Sequence, residues 1–566
     1  MNQNETYDAI VVGTGISGGW AAKELCENGL KTLVLERGRM VEHIKDYPTM
    51  NKDDWDFPYK GQLPLAEKQK FHHENSTWAP GEDSAHFFAN HVDHPYAQTK
   101  PFSWLRGYHV GGRSITWGRQ SYRWSDIDFG ANKKDGIGVD WPVRYKDIAP
   151  WYEKVERYIG VNGEKLGLKQ LPDGHFLPPM QLNCVEKELQ ESLSRTFDDG
   201  RLLTIGRSAN LTGVVPDQEG RAPCQYRNRC KRGCPFGGYF SSNSSTLPAA
   251  ERTGNMTLRP FSIVYEIIYD EVTQRAQGVR IIDAETHEKM EFKAKVIFLC
   301  ASTMASLGIL LQSKSKRYPN GLGNDSGLLG KGIMDHHFQV GANAKVKGYL
   351  NQYYKGRRPN GFYIPRFVNL DEKTQRKEYI RGFGYQGGAG RHNWSISIAE
   401  ASYGTNLKEA IMKPGNWQIG MNGFGEFLPY DDNKVTLSEK RDQWGLPLLD
   451  FDIRLKENEY NMRKDMQEQA KKMLELAGFE AINGYDGNYK PGGAIHEMGG
   501  ARMGHDPKTS IVNKHNQIHT VPNVYVTDGS FMSSSSCVNP SLTYMAFTAR
   551  AASHAATQLK TGKLAI

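Results

Sequence analysis

Val11–Gly19 reads VVGTGISGG, and the chain on either side of it shows what that run is for. The apolar run Tyr7–Val12 predicts a strand, Trp20–Asn28 a helix closed by Gly29, and Lys31–Glu36 a second strand. Gly13, Gly15 and Gly18 stand in the G-x-G-x-x-G spacing at the first strand-to-helix turn. In that arrangement the first glycine permits the tight turn. The second lets backbone approach a pyrophosphate, and the third lets the helix pack on the strand. The helix start offers free N–H groups and a positive dipole end to phosphate. Glu36 closes the second strand, where a carboxylate can accept both hydroxyls of a ribose. The run therefore predicts an α/β fold with a Rossmann-like dinucleotide-binding domain.

The rest of the composition is consistent with a large soluble protein. The chain has 566 residues, room for a two-lobed unit or more than one domain. Its 59 glycines follow no Gly-X-Y period and form no Gly/Ser tract, which excludes collagen and flexible linkers. A formal charge of +8 over this length is too dilute to argue for nucleic acid. The longest uncharged stretch, Val296–Ser313, carries Ser302, Thr303, Ser306 and Gln312 and reads as a buried strand and helix start, not a membrane span. The first residues show no basic n-region and no apolar h-region, so no signal peptide of its own is expected.

Other segments are read by periodicity. Residues 50–101 form a long, aromatic-dotted stretch with little pattern, expected to be a lid or a subunit contact. Phe338–Ile453 alternates and is glycine-rich, as in an antiparallel sheet. Lys456–Ala477 predicts an amphipathic helix whose stripe of Met462, Met466, Ala470, Met473, Leu474 and Ala477 is core packing.

Further motifs follow in order: GGRSITWG at Gly111–Gly118, NKVTLSEKRDQWGLP at Asn433–Pro447, HEMGGARMG at His496–Gly504, and VYVTDGS…NPSLT from Val524 to Thr543. Together with VVGTGISGG they resemble the glucose-methanol-choline oxidoreductases along the whole chain. The resemblance implies FAD as cofactor, a discontinuous FAD domain, and a substrate domain whose antiparallel β-sheet lies over the flavin, as in pyranose oxidase. It assigns Glu36, Arg37, Gly112, Ser114, Thr116, Trp117, Val264, Ala301, Asp528, Asn539 and Thr543 to the FAD site. Where pyranose 2-oxidase has a histidine covalently joined to FAD, this chain has Thr116, so the FAD is expected to be non-covalent. His496 resembles the family's catalytic base and Asn539 its partner. Imidazole suits that task because its ordinary pKa near 6.5 leaves it largely neutral at pH 7. His336 and His337, after GKGIMD, fall where the family often has a histidine near the domain junction, and a structural role is expected for them.

Seven cysteines is an odd number, and three lie close together in APCQYRNRCKRGCPFGG. Cys224, Cys230 and Cys234 form a C-x5-C-x3-C run of soft donors, suited to an iron–sulfur cluster or zinc. Arg221, Arg227, Arg229, Lys231 and Arg232 surround them without an intervening acid, balancing thiolate charge or docking an acidic partner. The run is similar to that in the catalytic subunits of bacterial FAD-dependent glucoside 3-dehydrogenase and glucose dehydrogenase. That likeness implies a [3Fe–4S] cluster.

The expected enzyme is thus an FAD-dependent dehydrogenase oxidising a secondary hydroxyl, at C3 of a glucoside or pyranose sugar. Electrons would leave through the cluster to a cytochrome- or quinone-linked acceptor. Oxidation at C1 of glucose or C2 of gluconate, an oxygen-using pyranose oxidase, and a redox-sensing flavoprotein are the alternatives. The resemblance also implies a small partner subunit that carries the export signal, hence a periplasmic location by co-export; a cytoplasmic one is equally compatible. No nucleic acid and no direct membrane span are expected. The expected FAD-binding domain takes residues 1–45, 102–150, 201–335 and 490–566, with the iron–sulfur loop at 221–240. The substrate-binding domain takes 151–200 and 336–489, and 46–101 is the insertion.

Overall fold

The computed structural model describes residues 6–59, 61–74, 79–216, 218, 220–352, 359–391, 403–412, 415–487 and 489–564. Parts of the expected insertion and antiparallel region, 75–78, 353–358 and 392–402, lie outside the described residues. The opening unit forms as its pattern predicts: β1 is Thr6–Val12, α1 is Ile16–Glu27 and β2 is Thr32–Leu35. β1 is the middle of a parallel sheet, flanked by β2 and Met256–Arg259 on one side and by Lys289–Leu299 and Val521–Val526 on the other. β1, β2, Val521–Val526 and the Val296–Leu299 end of Lys289–Leu299 are buried almost without a break, as a sheet covered on both faces requires. The terminal helix Ser541–Lys560 covers the sheet beside α1, through Ala551, Ala552, Ala555 and Ala556, all buried.

The second sheet is antiparallel, with Glu480–Asp486, Val340–Val346, Trp417–Glu426, Phe383–Arg391, Phe362–Ile364 and Thr204–Ile205 in that order. His336–His337 pairs with the end of Trp417–Glu426. One face packs under the helix Glu457–Leu476, whose Met462, Met466, Ala470, Met473 and Leu474 are buried in a core with Phe383, Tyr385 and Met421. The methionine stripe is core, as expected. The strands are glycine-rich where that helix lies close: a Cβ on Gly423 would stand 2.4 Å from the Met466 methyl.

Two pieces fall across the expected boundary. The helix Tyr145–Ile159 buries Tyr152, Val155 and Ile159 in the core of the parallel-sheet domain, so residues 151–159 belong there and not to the substrate domain. Thr204–Ile205 hydrogen-bonds to Tyr363 and Phe362 and belongs to the antiparallel sheet. The insertion is neither patternless nor loose. It packs Leu63, Phe71, Ala79 and Phe88 into a small core with Leu105, and Ile495 of the loop before His496 rests against it.

Candidate active site

A cavity of about 580 Å³ runs between the two sheets, within the range of cofactor and ligand sites. Its inner end is the glycine turn. Gly13 has φ +95°, and a Cβ there would lie 2.5 Å from the Cys300 carbonyl oxygen. A Cβ on Gly18 would lie 1.9 Å from the Gly13 carbonyl oxygen, but one on Gly15 would meet nothing within 4 Å. Gly13 and Gly18 are thus required by the fold itself, and Gly15 opens onto the cavity. No side chain caps α1, so the N–H groups of its first turn face that space.

Glu36 lines the cavity but is already engaged. Its Oε2 accepts from the Thr14 N–H and hydroxyl, and its Oε1 accepts from the Gly38 N–H at 3.0 Å. Burial raises its pKa against these bonds. A carboxylate has about four lone-pair sites, so capacity remains for one ribose hydroxyl where two were expected. Arg37 lies beside it, its guanidinium 4.7 Å from the Tyr108 ring and 5.1 Å from the Trp444 ring. Gly112, Ser114, Thr116, Trp117, Val264, Ala301 and Asp528 also line the cavity. Thr543 does not. Its hydroxyl pairs with the Tyr152 hydroxyl at 2.8 Å inside the core. Helical pitch is the reason: Ser541 and Tyr544, three residues apart, share the cavity face, and Thr543 is turned away from it. With open space at Gly15, free helix N–H groups and a carboxylate at the strand end, the inner half fits a dinucleotide such as FAD.

The outer half gathers the expected pair. His496 Nε2 stands 3.2 Å from the Asn539 amide nitrogen, and both residues line the cavity. Burial pushes the His496 pKa well below the imidazole value, and His336 and Arg113 add to this. The other ring nitrogen of His496, Nδ1, is 2.9 Å from Nδ1 of His336, whose Nε2 lies 3.1 and 2.9 Å from the Ser535 and Ser536 carbonyl oxygens. On the far side, the Gln386 amide donates to Asn539 Oδ1 at 2.5 Å. Phe338 and Phe424 stack at 5.4 Å and form an apolar wall, with Phe424 6.1 Å from the His496 ring.

Two buried carboxylates hold the histidine's loop. Asp335 accepts from the His496 N–H at 3.0 Å, the Ala494 N–H at 3.2 Å and the Tyr489 hydroxyl at 2.8 Å. Burial, with Glu497 adding, lifts the Asp335 pKa to about 7. Glu497 receives both guanidinium nitrogens of Arg113, at 3.3 and 3.0 Å, which ties the HEMGGARMG loop to the GGRSITWG loop. The sequence singles out neither His336 nor Gln386 as part of this group. For Gln386 a signal exists: in FGYQGGAGR strand alternation puts Phe383 and Tyr385 into the helix-covered core and Gln386 on the cavity face.

Cys224, Cys230 and Cys234 are free thiols that line one small cavity of about 20 Å³ beside Tyr239. Burial pushes the Cys224 thiol up to about 11 and raises Cys230 as well, with Arg119 opposing in both cases. Soft donors on one cavity fit an iron–sulfur cluster in chemistry, but the space is that of about one water and must widen to admit one. Among the described residues no three His, Cys, Asp or Glu side chains converge to hold a metal ion. The three thiols are neighbours on that cavity and do not close on a metal ion in this arrangement. The basic residues are not a free docking surface. Arg229 pairs with Asp53, and Lys231 and Arg232 pair with Asp83 at 3.2 and 3.0 Å. Arg227 donates to the Met50 carbonyl, and Arg232 to that of Lys52 at 2.8 Å. These partners all belong to the insertion, which straps the cysteine loop down.

GMC oxidoreductase family models match residues 7–338 and 429–548. The chain is 26% identical to the 2-methyl-1,2-propanediol dehydrogenase of Mycolicibacterium austroafricanum, over 96% of this chain and 94% of that one. It is 25% identical to the fructose dehydrogenase large subunit of Gluconobacter japonicus, over 99% of this chain and 100% of that one. Its fold is similar to an Aspergillus oryzae formate oxidase (TM-score 0.62, 14% identity, all of both chains covered). The chain therefore belongs to the GMC oxidoreductase family, a family of FAD-binding oxidoreductases.

Proposed function

We propose that this chain is an FAD-dependent dehydrogenase that oxidises a secondary hydroxyl of a pyranose sugar or glycoside, at C3. The observation that carries the reading is the His496–Asn539 pair, 3.2 Å apart at the outer end of a cavity that begins at the glycine turn. A bound flavin supplies the hydride acceptor for the carbinol carbon. His496 Nε2 takes the hydroxyl proton, and the Asn539 amide N–H donates to the same oxygen and fixes its direction. Burial keeps the imidazole neutral and so ready to accept that proton. Gln386, Gln120 and Arg119 offer polar contacts to further hydroxyls, and the Phe338–Phe424 wall offers an apolar face to a sugar ring.

Mixing the FAD-loaded enzyme anaerobically with free sugars and methyl glycosides, then locating the carbonyl in the product, tests this. Methyl glycosides are blocked at C1, so C3 oxidation predicts that they bleach the flavin as well as free sugars do. Bleaching by free reducing sugars alone would place the reaction at C1 and reject the proposal.

The iron–sulfur cluster belongs to the same proposal. Its support is three free thiols on one cavity, on a segment whose Tyr239 hydroxyl bonds the Ile115 carbonyl of the flavin-lining loop. Iron and acid-labile sulfide near zero in anaerobically prepared protein would reject it. An external cytochrome- or quinone-linked acceptor follows from the cluster. We further propose a small partner subunit with the export signal for a periplasmic enzyme, or its absence for a cytoplasmic one, which cell fractionation separates.

A further inference from the structure

Among the described residues, the hydrogen bonds around His496 run in one direction only. Carbonyl oxygens accept and never donate. His336 Nε2, held between the Ser535 and Ser536 carbonyls, must therefore carry the proton of its ring. Burial lowers the His336 pKa to about 4, so near pH 7 the ring has that one proton and its Nδ1 is an acceptor. The atom facing that acceptor at 2.9 Å is Nδ1 of His496, which must then be the protonated nitrogen. Nε2 of His496 is left unprotonated, facing the Asn539 amide at the cavity wall. The opposite end agrees: Gln386 donates to Asn539 Oδ1, so the Asn539 N–H group points at His496 Nε2.

We propose that His336 is a positioning residue that fixes the tautomer of His496, holding its Nε2 bare as the base for the hydroxyl proton. The inference rests on the reading of His496 as that base. His336 does not line the cavity and does not touch substrate. It acts through the histidine it faces. Its own place is rigid. Its backbone pairs with Glu426 at the end of the antiparallel sheet, and its carbonyl oxygen shares the Tyr489 hydroxyl, 2.8 Å away, with Asp335. Both ring nitrogens of His336 are engaged, Nε2 by the two carbonyl oxygens and Nδ1 by the His496 ring.

The first test needs no substitution. In FAD-loaded enzyme labelled with ¹⁵N-histidine, two-bond H–N correlation should find His496 protonated at Nδ1 and bare at Nε2 between pH 6 and 8. His496 is assigned by the signals missing from His496→Ala. His336→Ala should lose that fixed pattern and reduce flavin roughly 100-fold more slowly, with bound FAD and KM little changed, since general-base catalysis is worth about 10²–10⁴-fold. His336→Asn, whose Oδ1 can accept from His496 Nδ1–H, should recover at least tenfold. A proton on His496 Nε2 in the wild type overturns the proposal. So does near-normal reduction by His336→Ala when His496→Ala has lost it. Near-normal reduction by His496→Ala would reject the base reading itself, and this proposal with it.

Discussion

Asp335 shows how much a single residue outside the expected list can govern. It touches neither cavity nor substrate, yet its carboxylate accepts the backbone N–H of His496. Its pKa is raised to about 7, whereas that of His496 is lowered, so the group titrating near neutrality is the acid and not the base. Above that pH the Asp335 charge favours an imidazolium at His496 and so makes it a stronger base. Flavin reduction by sugar should therefore rise with pH through about 7. Asp335→Asn should abolish the inflection and hold the rate at its acid-side level. Stability runs the other way. A folded-state pKa above the unfolded one gives stability that is full below the unfolded value and lost as pH rises through the folded one. The melting temperature should thus fall from pH 6 to pH 8, and less steeply in Asp335→Asn; equal slopes would reject the assignment. The sequence could offer His496 and Asn539 because each sits in a recognisable run. It could not offer Asp335, or the facing of His336 on His496, because each is defined by contact across 160 residues or so of chain.

At the scale of the element, the glycine turn was the most legible part of the molecule, and the structure separates what its glycines do. Gly18 lies behind the turn, where a Cβ would collide with the Gly13 carbonyl at 1.9 Å. Gly15 lies in front, where a Cβ finds open space. Gly18→Ala should therefore lower stability by about 1–3 kcal/mol or more even without cofactor, as overpacking does. Gly15→Ala should leave the melting temperature of the FAD-free protein within a degree or two and weaken FAD binding by about tenfold or more. Calorimetry of FAD-free protein and FAD titration measure the two effects, and equal loss of FAD-free stability in both variants would contradict the division. Periodicity read the methionine helix correctly because 20 residues repeat one pattern. The motif resemblance that offered Thr543 fixes which residues are present, and only the helical pitch fixes which of them face the cavity.

At the scale of the molecule, the insertion joins parts that the chain order keeps apart. It meets the cysteine loop through Asp53 and Asp83, and the loop before His496 through Ile495, which rests on its small apolar core. A long segment with little periodicity gave no sign of this in the sequence, because its order comes from ion pairs with residues about 150 positions away. Asp83 is the centre of that contact, only 4% exposed and bound by both Lys231 and Arg232. Burial raises its pKa, but the two cations outweigh burial and hold it below the ordinary carboxylate value. The strap's stability is therefore present above the unfolded carboxylate pKa and lost as pH falls through the folded one. Asp83→Ala removes the acid and leaves the buried Arg232 guanidinium without its carboxylate, a loss of about 3–5 kcal/mol for a buried pair. Limited proteolysis at pH 7 should then cut within the insertion of Asp83→Ala far faster than in wild type, and the three thiols beneath should react faster with a thiol reagent. Wild-type rates of both would show that the insertion is held by its small apolar core alone, and that its contact with the basic loop is incidental to the fold.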